Sequence, residues 1–309
     1  MSSISISISE WLKETEHIFS GSGISTPRLD AEVLLAHALQ VDRSWLHAHS
    51  DDSLTVNNQQ ELKKLVARRR EREPIAYITG EKEFYGREFS VTPDVLIPRP
   101  ETEGLIELAK ATDAPLASIP LRFPQQRGDT KQQLEPSGVE TKDGAKETKL
   151  RILDVGCGSG CIGITLKLEN PNFDVTLADI SPAALEVARR NAATLGAEVA
   201  IVESDLLMSL KDSLFDIVIA NLPYVDRTWE TSPETTHEPA LALYADDDGL
   251  ELIKKLIEQS SDVLNKQGLL FLEADPAQHE AIITFAANYG FKHQATCGYA
   301  LSLMKQLQA

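Results

Sequence analysis

Apolar positions change rhythm along this chain. Over residues 9–72 they recur every three or four residues: Trp11, Leu12 and Ile18, then Leu29, Val33, Leu34, Leu35 and Ala38, then Leu62, Leu65 and Val66. That is the spacing of helices with one buried face. Ser9 is placed to cap the first helix, Thr26 before Pro27 the second, and Thr55 a third, long one. Pro74 ends the run, because proline disfavours helix in the residue before it. Aromatic and β-branched residues on either side of Tyr85-Gly86 predict a hairpin. Residues 95–103 follow as a stiff extended segment, with Pro98 and Pro100 around Arg99 and with Glu101 and Glu103 at the start of the next helix.

From residue 149 onward short apolar runs alternate with amphipathic stretches. Strands are predicted at 150–155, 175–179, 198–203, 215–220 and 269–273, with 295–304 completing the sheet. Helices are predicted at 161–168, 181–193, 248–264 and 276–289. The alternation is that of a mainly parallel sheet with helices on both faces, an α/β fold. Residues 113–149 break the pattern: Pro115, Pro120, Pro124 and Pro136 sit in a polar, charged run without apolar periodicity, which reads as a flexible insertion. The chain thus divides into a helical domain at 1–80, a hairpin and linker at 81–103, and an α/β domain at 104–309.

In such a sheet ligands sit beyond the carboxyl ends of the strands. Four strand ends here carry chemistry. The first opens into Gly156-Cys157-Gly158-Ser159-Gly160, two residues after Asp154, where glycines let a ligand approach the backbone and a helix N-terminus offers free N–H groups. The second ends in Asp179, 19 residues beyond Gly160, placed to bond the hydroxyls of a ribose. The third leads to Asp205-Leu206. The glycine spacing is not that of a dinucleotide fingerprint, and Gly163 does not restore the register, which disfavours a nicotinamide dehydrogenase.

The fourth strand ends in Asn221-Leu222-Pro223-Tyr224. An Asn side-chain oxygen and a following backbone carbonyl can both accept hydrogen bonds from one planar –NH₂ group. The proline holds the turn, and the tyrosine ring offers a face. Fixing an amide nitrogen this way aims its poorly nucleophilic lone pair and favours the positive charge that develops on transfer. A nucleoside cofactor on one side and a polar amide on the other point to group transfer.

Composition narrows the partners. The chain of 309 residues is 42% hydrophobic and 25% charged, as soluble globular proteins are. No apolar run reaches the roughly 18 residues of a membrane span, and residues 1–9 lack the basic start of a secretion signal. Three cysteines fit a reducing cytoplasm. Cys157 and Cys161 have no companions that complete a zinc set, so no metal is expected. A net charge of −17 disfavours general nucleic-acid binding. Lys63-Lys64 and Arg68-Arg69-Arg70 read as a solvated helix face, His237-Glu238-Pro239 as surface loop, and Asp246-Asp247-Asp248 as charges at a helix start.

With these residues in view the sequence resembles the release-factor glutamine N5-methyltransferases, which use S-adenosylmethionine. The likeness runs through Asp30-Ala31-Glu32-Val33-Leu34-Leu35-Ala36-His37, Glu73-Pro74-Ile75-Ala76-Tyr77, Glu83-Phe84-Tyr85-Gly86, Ile97-Pro98-Arg99-Pro100-Glu101-Thr102-Glu103 and Glu238-Pro239-Ala240-Leu241-Ala242-Leu243. It implies a Rossmann-like methyltransferase domain with a seven-stranded sheet and a small N-terminal helical domain that recognises a peptide chain release factor. The methylated group would be the glutamine of that factor's Gly-Gly-Gln loop. Asp154 and Gly156 to Gly160, including Cys157, Gly158 and Ser159, would hold the cofactor's methionine part, Asp179 its ribose, and Asp205 and Leu206 would border its adenine. Asn221, Leu222, Pro223 and Tyr224 would be catalytic, with Asn221 also touching cofactor, and Arg99, Glu101 and Thr102 would position substrate. Leu222 replaces the proline usual in the tetrapeptide, keeping its carbonyl but losing one fixed φ angle. Glu273-Ala274-Asp275 replaces the glycine usual just after that acid. The alternatives are glutamine methylation of a ribosomal protein and adenine N6-methylation of rRNA or DNA, since adenine presents the same planar –NH₂.

Overall fold

The computed structural model describes residues 6–111 and 149–307; the predicted insertion, apart from its last residue, lies outside them. The chain begins with helices α1 (Ile8–Gly21), α2 (Pro27–Leu39), α3 (Arg43–Ala48), α4 (Val56–Arg70) and α5 (Ile75–Thr79). Ser7, not Ser9, caps α1. Its hydroxyl accepts from the Glu10 N–H at 3.2 Å while the Glu10 carboxylate accepts the Ser7 N–H at 2.9 Å, a reciprocal box that Ser9 has no acid three residues on to complete. Thr55 caps α4 through Asn58 N–H as expected, whereas the Thr26 hydroxyl turns instead to Asp30. The two short helices α3 and α5 escape the periodicity argument, because one or two turns carry too few apolar positions to show a repeat. Ile8, Trp11, Leu12, Phe19, Leu34, Leu35, Leu46 and Leu62 form one buried cluster between these helices.

Strands β1 (Glu81–Phe84) and β2 (Arg87–Ser90) form the predicted antiparallel hairpin. Its turn has φ of 50° at Tyr85 and 73° at Gly86, the left-handed pair that a two-residue hairpin loop requires. After α6 (Glu103–Ala111) come β3 (Arg151–Val155), α7 (Cys161–Glu169), β4 (Asp174–Asp179), α8 (Pro182–Leu195), β5 (Ala200–Glu203) and β6 (Phe215–Ala220). The chain ends with α9 (Ala240–Leu243), α10 (Glu251–Val263), β7 (Leu264–Glu273), α11 (His279–Ala287), β8 (Phe291–Cys297) and β9 (Ala300–Lys305). The seven-stranded sheet has the order β5-β4-β3-β6-β7-β9-β8, parallel except at β9, which runs against both its neighbours. The strand order reverses between β3 and β6, and a crevice opens there beyond their carboxyl ends.

Alternate residues of each central strand face opposite sides, and the core divides accordingly. Ile152, Val175, Leu177, Ile217, Ile219 and Phe271 pack with residues of α6, α7 and α8. Leu153, Val155, Ala178, Val218, Leu270 and Leu272 pack with residues of α10 and α11. A smaller cluster of Ala76, Tyr77, Val91, Val95 and Ile97 with Ala184 and Val187 ties the helical region to α8. The buried Tyr77 hydroxyl donates to the Val95 carbonyl at 2.6 Å, pinning the extended segment that becomes one wall of the crevice.

Arg69 is not part of a solvated face. It is 5% exposed, with Nε 2.7 Å from Asp30 Oδ2 and Nη2 3.0 Å from Glu234 Oε1. Arg72 bonds the same Glu234 carboxylate, at 2.7 Å. Those arginines hold the Glu234 carboxyl down to about 2 despite its partial burial. The helical region is thereby bound to the segment that follows β6. Among the described residues no helix is long and apolar enough to cross a membrane.

Candidate active site

Two local structures face each other across the crevice. The first is the glycine turn between β3 and α7. Gly156, Gly158 and Gly160 have φ of 68°, 53° and 79°, so the turn depends on left-handed positions that only glycine takes without strain. A Cβ on Gly156 would lie 2.8 Å from Leu222 Cδ2, and one on Gly160 would lie 2.7 Å from Ile164 Cδ1. At Gly158 nothing lies within 4 Å, so bare backbone faces open space. The Asp179 carboxylate stands beside it, accepting the Gly158 N–H and the Ser181 N–H at 2.9 Å each. One bond per oxygen leaves lone pairs for further donors.

Asp154 is placed differently from the expectation. Its carboxyl is fully buried and does not line the crevice; Oδ2 accepts the Gly163 N–H at 2.8 Å and Oδ1 has no partner. Burial pushes it up to about 7, against the Gly163 hydrogen bond and with help from the charge of Asp179. Gly163 itself lets α7 close on β4, since a Cβ there would lie 2.3 Å from Leu177 Cδ2. Asp154 therefore supports the turn from beneath. Cys157 and Cys161 line the crevice, and burial pushes the Cys161 thiol up to about 12 and the Cys157 thiol well above its ordinary range, which disfavours the thiolate at both.

The second structure is the corner after β6. Asn221, Leu222 and Pro223 line the crevice together with Gly156 to Ser159, Asp179, Asp205, Leu206, Arg99 and Thr102. Asn221 Nδ2 donates to the buried Thr102 hydroxyl at 3.0 Å. Among the described residues neither Asn221 Oδ1 nor the Leu222 carbonyl has a hydrogen-bond partner. Two acceptors are thus left side by side at a strand end. The Leu222 side chain is buried against Gly156, and that packing takes over the restraint a proline ring would supply.

Tyr224 is anchored from behind. Its hydroxyl donates to Glu273 Oε1 at 3.1 Å, and burial with that neighbouring carboxylate raises its pKa. Its carbonyl accepts from Gln278 Nε2 at 3.0 Å, and the same amide donates to the Asp248 carbonyl at 2.8 Å. Gly249 passes so close that a Cβ would fall 2.0 Å from the Tyr224 carbonyl oxygen. Asp247 and Asp248 both take left-handed φ to make that approach, so they shape a turn as well as preceding a helix.

Of the expected positioning residues only Thr102 bonds the corner. Arg99 is committed to Glu238, Nη2 to Oε1 at 2.5 Å, while Glu238 Oε2 accepts the Ile97 N–H at 3.2 Å. Glu101 is exposed and lies off the crevice wall, as do Gly160 and Tyr224 among the remaining expected residues. Glu238, expected as surface loop, is 7% exposed because it pairs with a segment 139 residues away. Glu273 and Gln278 also escaped the sequence reading as site residues. Glu273 had a signal: it is an acid at the carboxyl end of an otherwise apolar run, as Asp179 is. Among the described residues no group of three or more His, Cys, Asp or Glu could hold a metal.

A family model for the PrmC N-terminal domain matches residues 10–80, and one for the methyltransferase small domain matches residues 140–239. A protein named release factor glutamine methyltransferase from Koribacter versatilis is 38% identical over 82% of this chain and 83% of its own length. One of the same name from Escherichia coli is 34% identical over 93% of this chain and 92% of its own. The chain belongs to the release factor glutamine methyltransferase family. It also spans about half the length of a bifunctional methyltransferase from Rickettsia conorii, at 33% identity. As a member of this family it is an S-adenosylmethionine-dependent methyltransferase with a Rossmann-like sheet. The crevice fits that donor: open backbone at Gly158 admits a close ligand, and Asp179 retains acceptor capacity beside it.

Proposed function

We propose that this enzyme methylates the side-chain amide nitrogen, N5, of the glutamine in the Gly-Gly-Gln loop of a peptide chain release factor, in the cytoplasm. The observation that carries the reading is the pair of free acceptors, Asn221 Oδ1 and the Leu222 carbonyl, with the Asn221 amide oriented by Thr102. The names of the relatives support the choice of glutamine and of release factor.

Bound S-adenosylmethionine supplies an electrophilic methyl group on a sulfonium. Backbone from Gly156 to Ser159 would hold its methionine part, Asp179 its ribose hydroxyls, and Asp205 with Leu206 its adenine. Asn221 Oδ1 and the Leu222 carbonyl each accept one N–H of the substrate amide. That fixes the nitrogen and its lone pair in one direction, replacing an unfavourable encounter with a positioned one. The same two oxygens stabilise the positive charge that nitrogen gains when its bond to carbon forms. The nitrogen then gives one proton to solvent, so no strong base is required before transfer. Tyr224, off the crevice wall, would act from behind this corner, with its hydroxyl held by Glu273.

The test is transfer of labelled methyl to purified release factor, with its loop Gln→Ala variant and bulk rRNA as controls. Label on the wild-type factor alone supports the reading. Label on rRNA with none on the factor would overturn it in favour of an adenine substrate.

A further inference from the structure

Glu273 ends β7 and is 1% exposed. Its Oε1 accepts the Tyr224 hydroxyl, while Oε2 is buried without a hydrogen-bond partner. Burial raises the Glu273 pKa, against the Thr102 and Tyr224 hydroxyls and the Asn221 amide that favour its charged form, and Glu101 adds repulsion. A buried carboxyl that is half-satisfied costs stability, so its position calls for a reason. The β7 backbone is already paired with β6 and β9, and the side chains that meet this carboxylate, Tyr224, Thr102 and Asn221, all belong to the corner or to its Thr102 anchor.

The reason lies in the shape of the corner. The Tyr224 ring is half-buried against the cluster that includes Leu222 and Leu250, and its hydroxyl is the polar end that this packing leaves to be fixed. The backbone of Tyr224 is fixed by Gln278 and Gly249, and among the described residues its hydroxyl bonds Glu273 alone. On the other side of the corner Thr102 fixes the Asn221 amide. We propose that Glu273 is a positioning residue for methyl transfer: by fixing the Tyr224 hydroxyl it holds the corner that carries the acceptor pair, and it acts on the reaction through that tyrosine. The inference rests on the functional reading above for its kinetic arm and on geometry alone for its spectroscopic one.

The test is a double-mutant cycle with Glu273→Ala, Glu273→Gln, Tyr224→Phe and the double variant Glu273→Ala with Tyr224→Phe. Glu273→Ala should lower kcat about 100-fold, the cost of a small misplacement of a reacting group, with cofactor affinity unchanged. Glu273→Gln keeps an acceptor for the hydroxyl and should recover most of that loss. In the Tyr224→Phe background Glu273→Ala should cost no more than about threefold further, because the group it acts through is gone. The substrate-free arm uses ¹³Cζ NMR of the tyrosines, six in all, with Tyr224 assigned by its loss in Tyr224→Phe. Its resonance should move in Glu273→Ala and stay near wild type in Glu273→Gln. Equal loss in the Ala and Gln variants, additive effects across the cycle, or an unmoved Tyr224 resonance in Glu273→Ala would each overturn the proposal. If wild-type enzyme leaves the release factor unlabelled, the functional reading fails and the NMR arm still decides whether Glu273 holds Tyr224.

Discussion

The two sides of the crevice are built on different principles. The glycine turn is held mostly by near neighbours: three left-handed glycines and the acids Asp154 and Asp179 lie within 26 positions of one another, with Asn191 of α8 donating to the Ser159 carbonyl at 2.9 Å. The corner at Asn221 to Tyr224 is held by residues 119, 49 and 54 positions away, namely Thr102, Glu273 and Gln278. A turn held mostly by near neighbours suits a cofactor whose shape does not change from one reaction to the next. A corner anchored by three separate elements couples the reacting group to the whole sheet and to the extended segment before α6. Substitutions should therefore act on cofactor affinity at the turn and on turnover at the corner.

The sharpest way to break this contrast is Asn221→Ala. Removing one acceptor of the developing charge should lower kcat about 100- to 1000-fold. Calorimetric titration should find cofactor binding nearly unchanged; a comparable loss of affinity would mean that the corner is part of the cofactor site and that the division is wrong.

At the turn the expected effects are reversed. Gly156→Ala meets both the left-handed penalty of about 1–2 kcal/mol and the Leu222 side chain at 2.8 Å. It should weaken the cofactor more than tenfold. Gly158→Ala has the same backbone penalty but nothing within 4 Å, so it should cost less stability than Gly156→Ala in denaturant unfolding. Equal destabilisation would mean that Leu222 moves aside freely.

The same contrast explains what the sequence made legible. The strands, the hairpin turn, the glycine turn and Asp179 were readable because their signals are local: alternation, a Tyr-Gly pair at two positive φ angles, an acid closing an apolar run. Arg69, Glu238 and Gln278 were not. A charged side chain in a polar stretch looks solvated until its partner is known, and Arg69 meets Glu234 across 165 positions. Burial of such groups is decided by pairing, which leaves no trace in periodicity. Ser7 was missed for a smaller reason, the choice between two serines that only Glu10 resolves.

Gln278→Ala sharpens the corner side of the comparison with a smaller effect. It strips a donor from the carbonyls of Tyr224 and Asp248 without touching either acceptor. Leaving those carbonyls short of partners costs about 1–3 kcal/mol in unfolding experiments. Turnover should fall about tenfold with cofactor affinity intact, since the misplaced atoms lie on the corner. A loss confined to affinity would contradict the anchoring role.

The smallest effect on turnover should come from Asp154→Asn, whose signature is one of pH profile. Folding raises this carboxyl from 3.8 to about 7, mainly by burial. Between those values the folded protein holds a proton that the unfolded chain has released. Stability attributable to this group is therefore full below about 4 and is lost as pH rises toward and through 7. Asparagine keeps an oxygen for the Gly163 N–H and cannot ionise. The variant should match wild type near pH 4 and exceed it at pH 8, as measured by urea unfolding at both values. If the two proteins run parallel across that range, Asp154 is not the proton-holding strut beneath the turn. The turn would then keep its geometry through the glycines, Asp179 and the Asn191 bond to the Ser159 carbonyl.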